Sequence, residues 1–167
     1  MELKATYVFD ASLAQSWDLL MDTNAIAHCL PGCRELRPAG DDRYEVELTV
    51  ALAAIAGDFK GTVALKDKMP PDSYTLVVEG SGRQGFVKGH AVVSLEADGD
   101  RTLIHVAAQA DVGGKIARIG QRMLDGVTRA TMKRFYRCLA KQISQPGSTY
   151  DPQEEIETER EKEIDEA

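Results

Sequence analysis

From Glu2 to Asp10 polar and apolar positions alternate, with Leu3, Ala5, Tyr7 and Phe9 on one side; a period of two predicts a half-buried strand. Ser12 and Gln15 then match a capping box, in which a hydroxyl and a side-chain amide satisfy free N–H groups at a helix start. The pattern predicts a short helix carrying Trp17, Leu20 and Met21, ended by Asp22-Thr23-Asn24, and a second through Ile26 and Leu30, closed by Pro31-Gly32. Alternation returns in Tyr44 to Leu52, where Tyr44, Val46, Leu48, Val50 and Leu52 oppose Glu45, Glu47 and Thr49. It recurs in Phe59 to Leu65, with Lys60, Thr62 and Lys66 outside. Turns at Pro70-Pro71-Asp72 and Asp98-Gly99-Asp100 set off strands near residues 73–81, 87–97 and 101–110, which predicts antiparallel hairpins.

After Gly113-Gly114 the period changes, and Lys115 to Gln145 is expected as one long amphipathic helix. Ile116, Gly120, Met123, Val127 and Thr131 fall on one side of it, and Lys115, Arg118, Arg122, Arg129 and Lys133 on the other. The apolar stripe drifts toward Phe135, Leu139 and Ile143, which leaves Arg134 either inside or on the flank. A sheet and a helix with one apolar face each must cover one another, so the expected fold is a two-layer α+β domain over residues 1–145.

Composition bounds the function. The 167 residues, 43% of them hydrophobic, suffice for one ordinary domain. The longest apolar run, Val50 to Gly57, falls far short of the roughly 20 residues of a bilayer helix, and the N-terminal segment lacks the apolar stretch of a secretory signal. A cytoplasmic protein is expected. The net charge of −7 is unevenly spread: residues 1–114 hold 10 Lys/Arg and 17 Asp/Glu, residues 115–150 hold 8 and 1, and residues 151–167 hold 2 and 9. Such a chain is a poor nucleic-acid binder, because that affinity comes mainly from neutralising phosphates. The exposed side of the basic segment, Arg118, Arg122, Arg129 and Lys133, reads either as a solvated helix face or as a docking ridge for an acidic partner or anionic headgroups. Residues 146–167 offer little beyond Ile156 and Ile164 to bury among many carboxylates, so an acidic, disordered tail is expected, able to fold back on that ridge.

Candidate chemistry is sparse. His90 and His105 fall on the outward side of their strands with no nucleophile or carboxylate placed beside them by sequence, and read as surface histidines. Gly80-Ser81-Gly82-Arg83-Gln84-Gly85 spells a dinucleotide-binding string, but a strand follows it where that motif needs a helix. Cys29 and Cys33 flank one helical turn beside His28; with Cys138 they read as small buried cysteines rather than a metal or disulfide framework. Inward strand positions include Gly61, Gly80, Gly89, Ala91, Ala108 and Ala110. Either these let the sheet bend and pack closely, or they leave a lipophilic cavity lined by Val46, Leu48, Phe59, Val63, Leu65, Leu76, Val93, Val106, Met123 and Val127, with Phe135 toward the helix end.

Several strings occur in order over residues 1–145: Trp17 with Leu20 and Asp22, Cys29-Leu30-Pro31-Gly32-Cys33, Phe59-Lys60-Gly61, and Pro70-Pro71 with Tyr74. Gly85-Phe86-Val87-Lys88-Gly89, Val112-Gly113-Gly114-Lys115 and Arg122-Met123-Leu124-Asp125-Gly126 complete the set. On these the chain resembles the CoxG family, named for the G component of carbon monoxide dehydrogenase, within the START-like, helix-grip superfamily. The resemblance implies a curved antiparallel sheet of about six to seven strands around a long C-terminal helix, with two short helices after the first strand, and a hydrophobic pocket gated by Phe86. It implies an accessory protein without intrinsic cofactor or catalysis. Such a protein would accompany a molybdenum-containing oxidoreductase, carry a lipophile such as a quinone, and touch the inner membrane face peripherally. Membrane-tethering relatives have a longer apolar or amphipathic extension, and this acidic segment departs from them. Two alternatives stay open: a START-like cyclase or hydratase, for which Arg134 and Asp111 are the candidate polar groups, and an assembly protein with a filled core.

Overall fold

The computed structural model describes residues 1–51 and 55–144; the expected tail lies outside them. Strand β1 (Glu2–Phe9) leads into α1 (Leu13–Leu20) and α2 (Thr23–Cys29). There follow β2 (Cys33–Pro38), β3 (Arg43–Val50), β4 (Gly57–Met69), β5 (Ser73–Gly82), β6 (Gly85–Asp98) and β7 (Arg101–Gly113). A 3-10 turn (Gly114–Ile119) then precedes α3 (Gln121–Ser144). The capping box forms as the sequence predicts, with the Gln15 N–H donating to Ser12 Oγ at 3.2 Å and the Ser12 N–H donating to Gln15 Oε1 at 3.2 Å. Asp22 caps α2, its Oδ1 accepting from the N–H groups of Asn24 and Ala25.

The seven strands form one antiparallel sheet in the order β1-β7-β6-β5-β4-β3-β2. After β1 the chain crosses on α1 and α2 to the opposite edge and returns as a meander, whose last strand pairs with β1 from Glu2 opposite Gln109 to Phe9 opposite Thr102. Leu3 of β1 and Val50 of β3 border the same cavity. In a flat sheet those strands would lie roughly 24 Å apart, five strand spacings; the sheet therefore curls around α3.

Three expectations need correction. Strand β2 has no predicted counterpart: it is a short edge strand of sequence CRELRP with a register irregularity between Cys33 and Glu35, so it shows no alternation. The single helix from Lys115 is broken at Gly120, whose φ of +96° lies in the left-handed region. This break resets the phase of α3, so Leu124 turns inward and Met123, placed on the apolar stripe by the unbroken count, is 54% exposed. Finally, Cys29 and Cys138 are joined by a disulfide, with Cα atoms 5.4 Å apart and both side chains fully buried. It ties α2 to α3 across 109 residues of sequence, a separation that no local spacing reveals.

Candidate functional site

The sheet and α3 meet in a solid core at one end and enclose space at the other. Phe9, Trp17, Leu20, Val93, Ile104, Val106 and Leu139 are buried against one another. Trp17 meets Tyr74 edge-on with ring centroids 5.6 Å apart, and Tyr136 stacks on Tyr7 at 4.1 Å. Beyond them lies a cavity of about 450 Å³. Its floor contains Gly80, Gly89, Ala91, Ala108 and Ala110, its side Leu48, Val50 and Phe59, and its roof Leu124, Val127, Thr128, Thr131 and Met132 of α3. The small floor residues make the void: a methyl group added at Gly80 would meet nothing nearer than the Lys60 carbonyl at 3.7 Å.

A second chamber of about 230 Å³ sits beneath α1 and α2. Leu20, Met21, Ile26 and Leu30 border it on the helical side, and Tyr44, Val46, Val63, Leu65, Tyr74 and Leu76 on the sheet; Phe135 and Tyr136 close it from α3. Val78 borders both chambers.

Of the residues expected to line a pocket, Leu48, Phe59 and Val127 border the large chamber and Val46, Val63, Leu65, Leu76 and Phe135 the small one. Val93 and Val106, 0% and 4% exposed, belong to the solid core and border neither. Phe86 is a further correction. Gly82 and Gly85 face each other across a two-residue turn, so Phe86 is already a ladder residue, paired with Ser81 and Gly113. Alternation puts it outside with Lys88, where its ring lies over Gly113 and it borders a charged surface groove. The turn that would carry a gate is tethered, the Ile116 N–H donating to the Gln84 carbonyl at 2.8 Å. Gly85 is obligatory there: its φ is +138°, and a side chain would strike the Gly113 carbonyl.

The polar groups at the chambers are few. Thr128 and Thr131 turn their hydroxyls back onto α3, donating to the carbonyls of Leu124 at 2.7 Å and Val127 at 2.8 Å. Burial pushes the Tyr74 and Tyr136 phenols well above the usual tyrosine range, so both stay neutral. Among the described residues no Asp, Glu, Lys or Arg borders either chamber. Arg134 is half-buried on the flank of α3 and Asp111 is exposed on the outer side of β7. His105 lies outside, its ring bridging Thr6 at 3.0 Å and Glu96 at 2.8 Å. His90 is exposed as well. Arg122, Arg129 and Lys133 share an exposed line of α3, whereas Arg118 stands on the 3-10 turn, so the ridge is interrupted. Cys33 remains a free thiol, and the described residues contain no cluster of three or more metal-ligating side chains.

The family model of CoxG, the G component of carbon monoxide dehydrogenase, matches residues 9–144. The chain belongs to the CoxG family. A conserved protein of Geobacillus kaustophilus, 32% identical, superposes with a TM-score of 0.85 over 87% of this chain and 96% of its own. More distant structures share the fold. A START superfamily protein of Mycobacterium smegmatis is 14% identical, with a TM-score of 0.68 over 86% of this chain and 97% of its own. The Zhui aromatase/cyclase of Streptomyces sp. R1128 is also 14% identical, with a TM-score of 0.65 over 89% of this chain and 96% of its own. No curated protein sequence matches significantly. The CoxG chain thus has the START-like helix-grip architecture, and among its described residues no helix is long and apolar enough to cross a membrane.

Proposed function

We propose that this CoxG protein is a non-catalytic carrier that holds a lipophilic molecule, of the isoprenoid-quinone class, between its sheet and α3, and serves a molybdenum-containing oxidoreductase of the carbon monoxide dehydrogenase type. One observation carries the reading: the large chamber is walled by aliphatic side chains, glycine and alanine, with its two threonine hydroxyls satisfied by their own helix. Such a space favours an apolar guest, because burying apolar surface is worth about 25 cal/mol per Å² and the site demands no polar partner in return. It also lacks what an acid–base mechanism needs, since Arg134 and Asp111 lie away from both chambers. The family's name supports the oxidoreductase as partner. The exposed line of Arg122, Arg129 and Lys133 is the surface best suited to an acidic face of that enzyme or to anionic headgroups.

The test is organic extraction of the full chain purified from its native host, followed by mass spectrometry. A stoichiometric lipophile is expected. An interior that is repeatedly empty, and that takes up no lipophile when offered a mixture, overturns the reading.

A further inference from the structure

The small chamber differs from the large one in a way that bears on what its occupant carries. Tyr74 rises from β5 and Tyr136 descends from α3, so they close the chamber from opposite walls, 4% and 6% exposed. Neither phenolic hydroxyl forms a hydrogen bond among the described residues. A buried hydroxyl without a partner costs about 1–3 kcal/mol, and two in one chamber are unusual in a folded protein. The remaining wall is aliphatic and aromatic apart from Thr23 and Tyr44.

We infer that Tyr74 and Tyr136 are a donor pair that receives the carbonyl oxygen of the bound lipophile, fixing its oxygen-bearing end in the small chamber and its hydrocarbon remainder in the large one. This rests on the reading of the interior as a lipophile site. A carbonyl oxygen has two lone pairs and no hydrogen, so it satisfies two O–H donors and leaves nothing of its own unpaired. A carboxylate fits badly, since no cation among the described residues borders the chamber to offset its desolvation. The volume is also suitable: an apolar cavity of about 150 Å³ takes benzene, so one of about 230 Å³ takes a small fused-ring ketone.

The experiment compares 2-acetylnaphthalene with 2-ethylnaphthalene on the full chain freed of co-purified lipid, each affinity corrected for that compound's own water–hexane partition. The ketone is expected to bind about tenfold more tightly after correction, the sum of two modest hydrogen bonds. Tyr74→Phe and Tyr136→Phe should each reduce that preference about threefold while leaving the hydrocarbon's affinity unchanged. Equal corrected affinities in the wild type, or a preference untouched by both substitutions, overturn the donor pair while leaving the carrier reading intact. Failure of both compounds to bind overturns the carrier reading and the donor pair with it. The carbonyl stretch of the bound ketone keeps the test decisive without any variant: a frequency below its value in hexane supports the donor pair, and an unshifted one overturns it.

Discussion

Around Phe9, Ile104 and Leu139 the sheet and α3 meet without residual space, each of these side chains being 0% exposed. Around Gly80, Gly89 and Ala110 the same sheet and the same helix stand apart over a void of about 450 Å³. Both regions are apolar, so hydrophobicity does not separate them. What differs is side-chain volume on facing positions, and the presence of α1 and α2, which are cross-linked to α3 through Cys29 and Cys138 over the solid end only. A helix-grip domain can therefore place its stability in one half of an interior and leave the other half open, because packing density is a local property.

Substitutions at the two ends should break this symmetry of composition. Leu139→Ala in the solid end is expected to cost about 4 kcal/mol in urea unfolding, a full cavity cost, whereas Val127→Ala at the roof of the void should cost under about 1 kcal/mol because its neighbours already leave space. Comparable losses at both sites would mean that the void is filled. Replacing Cys29 and Cys138 together by alanine should lower stability by about 3 kcal/mol, mainly by freeing a long loop in the unfolded chain. Lipophile affinity should fall less than stability does in that variant, since the large chamber lies at the other end.

Two smaller effects sharpen the contrast. Gly80→Val projects into open space with no backbone clash, so it should weaken lipophile binding about tenfold with stability changed by less than about 1 kcal/mol. Alkali probes the solid end through its tyrosines. Tyr74 and Tyr136 have folded-state values raised above the ordinary phenol value of about 10, so their contribution to stability is whole below that pH. It is lost as the pH climbs above it, because the unfolded chain releases protons that the folded chain retains. Between pH 10 and 11, Tyr74→Phe should flatten the fall in unfolding free energy by up to about 1 kcal/mol, measured against wild type in parallel urea titrations. At the bottom of the scale, His105→Gln on the outer face should change stability by less than about 0.5 kcal/mol, since its contacts to Thr6 and Glu96 are solvent-exposed.

Much of the architecture was legible because burial on one face writes a period into the chain. The alternation of Leu3, Ala5, Tyr7 and Phe9, the Ser12–Gln15 box and the hairpin turns all stand where the sequence puts them. The failures share a cause, since each depends on information carried between distant residues. Cys29 gives no sign that its partner is Cys138, and Gly120 does not disturb the count of apolar positions although its φ ends one element and starts another. Of the proposed lining, Val93 and Val106 have the right face but the wrong neighbours: the same inward direction leads to a void under one part of α3 and to solid packing under another. Tyr74 is visible as an inward aromatic two residues before Leu76, yet only three-dimensional neighbours reveal that its hydroxyl has no acceptor.

The ladder between β1 and β7 joins residues nearly a hundred positions apart. A ribosome adding roughly 5–20 residues per second thus releases β1, α1 and α2 several seconds before their partner strand exists. During that interval Leu3, Phe9 and Trp17 have nothing to cover them, while β3 to β7 can grow as successive local hairpins. Docking of β1 is the step with the largest loop to close, and it sets the pace of folding. The nascent amino-terminal segment is accordingly the part of this chain most exposed to aggregation and most in need of a chaperone.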